Sequence, residues 1–193
     1  MASQPPPSSK PSRLSVADVC KKAKLSDEAL ALRQDDQTAE AFLGVLLEKE
    51  HYKDAVGFIA NWLTKREAVW WGCLCAWHTC RPEPDPKVAA ALQASVRWVQ
   101  KPDEKNRRAA QLAGNEAGAD TPAGAVALAA FFSEGSLSEP NLPNVPSPDH
   151  LTATTIAGAV RLASTQSDDS AAEALRQFLL AFEVAQGLNC WDQ

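Results

Sequence analysis

The chain has 193 residues, 45% of them hydrophobic and 22% charged, and a formal net charge of −5. That length suits one domain that buries well over half of its unfolded surface, and the composition excludes the disordered class. No run of about 18 apolar residues occurs, so no membrane-spanning helix is predicted, and an acidic body argues against non-specific nucleic-acid binding. Charge is uneven, because residues 1–33 hold six cations against three carboxylates. One Tyr, one Met and abundant Ala favour closely packed helices over sheets.

Residues 1–13 carry Pro, Ser and Gln without a large apolar residue and read as a disordered tail. Ser15 with Asp18 is an N-cap pair for a short helix that ends in the Lys21-Lys22-Ala23-Lys24 run, read as a solvated helix end. Ser26 with Asp27 and Glu28 opens a second. Thr38–Lys49 and Tyr52–Leu63 are two amphipathic helices joined at Glu50-His51. A connection that short makes them antiparallel, a hairpin resembling one repeat of the tetratricopeptide kind, with no second copy.

Thr64–Cys80, TKREAVWWGCLCAWHTC, is predicted as the central helix. Thr64 and Glu67 form a capping box. At about 100° per residue, Val69, Trp70, Cys73, Leu74, Trp77 and Cys80 share one face, and Ala68, Trp71, Cys75 and His78 the other. A helix apolar on both faces is expected to be covered on both. Pro82, Pro84 and Pro86 stop it, and Pro86 starts the next helix, Lys87–Gln100, with Trp98 set to one side. Asp103–Gly118 is a polar outer helix with a narrow stripe of Ala109, Leu112 and Ala113 and a basic cluster of Lys105, Arg107 and Arg108 on a solvated face.

Thr121-Pro122 opens a nearly all-apolar, buried helix to Phe132. Residues 134–149, EGSLSEPNLPNVPSPD, form a proline-rich ordered strap with Leu137, Leu142 and Val145 pressed on the helical body. Ser147-Pro148 caps His150–Ser164. Ser170 with Glu173 is a capping box for Ala171–Leu188, whose stripe includes Leu175, Phe178 and Phe182 and which Gly187 closes. Residues 189–193 are a tail in which Trp191 either frays or tucks in. The fold class is all-α: one domain over 14–188, nine or ten helices bundled around a buried Trp/Cys-rich helix.

Cys73, Cys75, His78 and Cys80 are ligand types suited to zinc, but on one helix they diverge, and C-x-x-C spacing is absent. Cys73 and Cys80 stand about two turns apart, too far for a disulfide. An odd count of five cysteines fits reduced thiols in a cytoplasm. Cys75 with His78 is the local pair from which a thiol- or zinc-dependent enzyme could be built. Against it stands the use of free Cys as a small core hydrophobe. No Gly-rich phosphate loop or hydrolase motif is present.

Two segments, Arg66-Glu67-Ala68-Val69-Trp70-Trp71 with Cys73, and the Leu142-Pro143 strap leading into His150-Leu151-Thr152, make residues 38–188 resemble an uncharacterised bacterial family of helical proteins. The resemblance implies no assigned activity, no catalytic residues, and occurrence among genes of contractile (type VI) secretion systems. The expectation is a cytoplasmic, non-enzymatic adaptor or chaperone-like scaffold, without cofactor or metal. It would bind another protein through a helical groove, through Leu137, Leu142 and Val145 of the strap, or through Lys105, Arg107 and Arg108.

Overall fold

The computed structural model describes residues 14–139, 141–166 and 170–189. The tail expected at 1–13 and Trp191 lie outside them, as do the side chains of Ser170 and Leu175, on which a capping box and part of the last stripe rest. Among the described residues there are ten helices and no strand: α1 Val16–Ala23, α2 Asp27–Ala31, α3 Ala39–Glu48, α4 Tyr52–Trp62, α5 Lys65–Cys80, α6 Pro86–Gln100, α7 Glu104–Ala117, α8 Pro122–Phe131, α9 Leu151–Ser164 and α10 Ser170–Gln186. The all-α bundle read from the sequence is the fold.

Local chemistry sets most helix ends. Ser15, Ser26, Thr38, Asp103 and Thr121 each accept a backbone N–H at their helix starts. Thr64 and Glu67 complete the box on α5: Thr64 Oγ1 accepts from Glu67 N at 3.3 Å, and Glu67 Oε2 accepts from Thr64 N at 2.9 Å. Asp85 accepts from Lys87 N at 2.8 Å, with Pro86 in the first turn of α6. Gly187, at φ +74°, closes α10.

The α3–α4 connection is longer than the expected Glu50-His51. Lys49 joins it, and Glu50 takes a left-handed φ of 59°. His51 N donates to Leu46 O at 2.8 Å and Glu50 N to Leu47 O at 3.0 Å, the paired bonds that satisfy the last carbonyls of α3. Phe42 and Phe58 then meet edge to face, 5.2 Å apart, between the two helices.

α8 is the most enclosed helix, packed by α5, α6, α7 and α9. Its small residues allow that approach. On α5, Gly72 does the same work: a Cβ there would stand 2.9 Å from Val126 and 3.0 Å from Ile156, so glycine is what lets α5 sit against both α8 and α9.

α7 is phased differently from the expected stripe. Arg107, Ala110 and Gly114 face inward, while Leu112 is 66% exposed. Polarity misled the reading: Arg107 is a buried residue, and the small residues after it let α7 press on α8.

The strap also departs from expectation. It is a returning loop, with Leu137 N donating to Val145 O at 2.8 Å and Ser147 N to Gly135 O at 3.2 Å. Ser147 does not cap α9; its Oγ donates to Phe132 O at 2.5 Å and pins the strap to the end of α8. Leu137 is half-buried, but Leu142 and Val145 are 60% and 50% exposed rather than pressed on the body.

Candidate functional site

α5 is held on three sides. Trp71 is fully buried and its Nε1 donates to Gln177 O of α10 at 2.9 Å. Arg66 reaches the last turn of α6, with Nε donating to Val99 O at 2.5 Å and Nη2 to Gln100 O at 3.0 Å. Gly72 sets the third side against α8 and α9. What remains is the edge formed by Trp70, Leu74 and Trp77, spaced four and three residues apart so that they share one stripe.

That edge corrects the expectation of a helix covered all round. α6 covers it only in part, leaving an open groove of about 580 Å³ between the two helices. Trp70, Leu74 and Trp77 form one wall, and Ala89, Leu92 and Val96 of α6 the other, with Pro84 ahead of α6 at one end, Arg97 in its last turn toward the other, and Gln93 between them. Trp77 is 47% exposed. Leaving a large aromatic half in water forgoes on the order of 1 kcal/mol of burial. The sequence carried part of this signal in the doubly apolar pattern of α5, but not which edge its neighbour would leave bare.

Cys75 and His78 do not make a matched pair. Cys75 is fully buried, and burial pushes its thiol far above the ordinary range; Arg176 pulls the other way, while Glu173 and Cys73 add to the rise. His78 is half-buried with its imidazole pKa lowered, first by burial and then by Arg176 and Arg81. Burial pushes the Cys73 thiol up to about 12. Among the described residues no three His, Cys, Asp or Glu side chains group as metal ligands.

A test follows for these thiols. In native protein at pH 8, Cys73 and Cys75 should stay unlabelled while half-buried Cys80 reacts, and all three should label in denaturant. Because the folded pKa of Cys73 is raised, its contribution to stability is present below pH 9 and lost as pH climbs from 9.0 toward about 12. Cys73→Ala should make that alkaline decline shallower in denaturation curves. Fast native labelling of Cys75 would refute the buried-thiol picture.

The basic trio divides. Lys105 is exposed. Arg107 is fully buried beneath the strap: Nη1 donates to Phe131 O at 2.7 Å, Nη2 to Ser136 O at 2.9 Å and Nε to Glu104 Oε2 at 2.6 Å. Arg108 donates through Nη2 to Ser136 O at 3.0 Å and to Ser138 O at 2.6 Å. The two guanidiniums also lie over the Phe131 ring, 4.7 and 5.3 Å from its centroid. Both therefore fasten the strap, which places Leu142 and Val145 outward. Spacing alone could not show this, since the acceptors are carbonyls some 25 to 30 residues away.

No helix among the described residues is long and apolar enough to cross a membrane. The fold and the groove define an all-helical bundle with one open aromatic-aliphatic channel. Within that class, residues 42–185 match the model of a family of unknown function, DUF6931, and the chain belongs to that family. The match begins inside α3 and ends inside α10, so α1 and α2 fall before it. Comparison with curated proteins gave no match, and comparison with solved structures gave none.

Proposed function

We propose that the protein is a non-enzymatic adaptor that receives a helix of another protein in the groove between α5 and α6. The observation behind this reading is the half-exposed Trp77 in an otherwise apolar channel. Such channels take the apolar face of an amphipathic helix, anchored by residues at helical spacing. Arg97 is exposed at one end and has no ion-pair partner among the described residues. The matching helix accordingly carries a carboxylate beside its apolar stripe. The resemblance to proteins met among type VI secretion genes makes a component of such a system, in a reducing cytoplasm, the first partner to try. The alternative, a thiol- or zinc-dependent enzyme on Cys75 and His78, has the burial of Cys75 against it.

A photo-cross-linking residue at position 77 tests this in the native cell. The expected result is one partner protein, cross-linked through a segment with apolar residues at helical spacing and an acid at one end. It should be lost in Leu74→Glu and weakened by Arg97→Glu, and the same cross-linker at Leu179 on α10 should not capture it. Cross-links to a second copy of this chain, or a partner that survives Leu74→Glu, would reject the reading.

A further inference from the structure

Positive charge is sparse on this acidic chain, yet one cleft gathers it. Between the end of α1, α4 and α9 lies a cleft of about 330 Å³ lined by Lys22, Lys24, Lys53 of the first turn of α4 and Arg161 of the last turn of α9, with His150 before the start of α9 also on its wall. None of these four cations has an ion-pair partner among the described residues. The cleft's one acid, Asp54, is engaged: it accepts from Ser26 N at 2.8 Å and Ser26 Oγ at 2.9 Å, and His51 stands 3.6 Å away. Four cations thus face one occupied carboxylate.

A second cleft of about 340 Å³ adjoins the first and shares Lys22, Asn61, His150 and Ala153 with it. It runs along the opening turn of α9, where His150 supplies no side-chain cap. The amides of Thr152 and Ala153 there have no acceptor among the described residues. Thr152 also lines this cleft; it is fully buried, and its Oγ1 has no hydrogen-bond partner. At the edge, Lys65 pairs with Asp149 at 3.6 Å. A buried hydroxyl without a partner gives up its water without a replacement bond, which a folded chain seldom keeps without use.

A plainer account exists for part of this. Lys22 and Lys24 sit at the C-terminal end of α1, where the helix dipole favours cations. Arg161 in the last turn of α9 has the same account, but Lys53 stands in the first turn of α4, where the dipole disfavours a cation, and neither the gathering of all four on one cleft nor the orphaned hydroxyl at the open start of α9 is explained by it.

We propose that the joined clefts bind a small phosphate-bearing anion, with the phosphates among Lys22, Lys24, Lys53 and Arg161 and further acceptor oxygens at Thr152 and the first amides of α9. Several cations and backbone donors around one space call for a multiply charged anion rich in acceptor oxygens. The volumes suit a small molecule, and the acidity of the rest of the chain disfavours a nucleic-acid strand. Two of the cations, Lys22 and Lys24, come from α1, before the stretch the family model matches. The site is separate from the α5–α6 groove and does not depend on the adaptor reading.

Titration calorimetry of the full chain with inorganic pyrophosphate, repeated with inorganic phosphate, tests the proposal. Pyrophosphate should bind more tightly than phosphate, raise the melting temperature and weaken as salt rises. The double variant Lys53→Gln/Arg161→Gln should lose about tenfold or more in affinity. Lys105→Gln, which removes an exposed lysine on α7, should leave it unchanged. Thr152→Val should melt higher than wild type without ligand, because the lone hydroxyl is gone, and yet bind pyrophosphate more weakly. No pyrophosphate binding by wild type, or an equal loss in Lys105→Gln, would overturn the proposal. Unchanged affinity in Thr152→Val would overturn the part assigned to the start of α9.

Discussion

Gly124→Ala should cost the protein a large part of its stability. A Cβ at position 124 would press into the carbonyl oxygen of Gly118 and stand 2.8 Å from its carbon and 2.9 Å from Thr121 Oγ1. The two nearest atoms are backbone, so no rotamer change relieves the clash. α7 and α8 would have to separate, and with them the approach at Gly114, whose own Cβ would meet Gly124 O at 3.0 Å. Thr121 would lose its cap on Gly124 N, now 3.0 Å. Overpacking of this kind costs about 3 kcal/mol or more, a large part of a typical domain's 5–15 kcal/mol. Gly158→Ala is the control: nothing lies within 4 Å of a Cβ there, and removing a mid-helix glycine should stabilise by about 0.5–1 kcal/mol. Denaturant curves for the two variants should move in opposite directions. A Gly124→Ala protein as stable as wild type would mean the helices part at little cost.

Arg107→Met is expected to cost about 3 kcal/mol and to release the strap. Methionine fills much of the volume but leaves Phe131 O without its guanidinium donor and Ser136 O with Arg108 alone, and a buried unsatisfied acceptor costs about 1–3 kcal/mol. Arg107→Lys should rescue little, because a single ammonium cannot reproduce the fork. Limited proteolysis gives a local readout: cleavage within 134–149 should speed up more than cleavage in α3 or α4. The pair also has a pH signature. The hydrogen bond from Arg107, with that from Arg108, holds the Glu104 carboxyl down to about 2. A lowered folded pKa gives stability that is complete above about pH 4.5 and drains away as pH falls toward 2. Glu104 is largely solvent-exposed, so the contribution is modest, but its acid slope should flatten in Arg107→Met. Equal strap cleavage in wild type and variant would show that another contact holds the loop.

The parts of the fold legible in the sequence are the local ones. Thr64 with Glu67, Asp85-Pro86 and Thr121-Pro122 mark helix starts because the donors they satisfy lie within three residues of the cap. The burial of α8 was likewise visible, since ten nearly unbroken small and apolar residues have nowhere else to go. Phase was harder. Arg107 looks like a surface residue until carbonyls from two distant segments are brought to it, and Leu112 looks buried until α7 turns its small face inward. The groove and the basic cleft were unreadable for the same reason. Whether α6 covers Trp77, or α9 brings Arg161 to Lys24, is decided by tertiary packing between segments that carry no local trace of one another.

The bare edge of α5 has one more consequence. Of the described tryptophans, Trp62, Trp71 and Trp98 are buried, Trp70 is half-buried with its Nε1 bonded to Asn189 O at 2.9 Å, and Trp77 alone is exposed. The groove therefore lights its own occupancy. A water-soluble quencher reaches the indole at position 77 first, and a helix seated in the channel shields that indole and shifts its emission to the blue while the buried rings report an unchanged core. Association and unfolding, which so often blur together in intrinsic fluorescence, are written here in two different parts of the same spectrum.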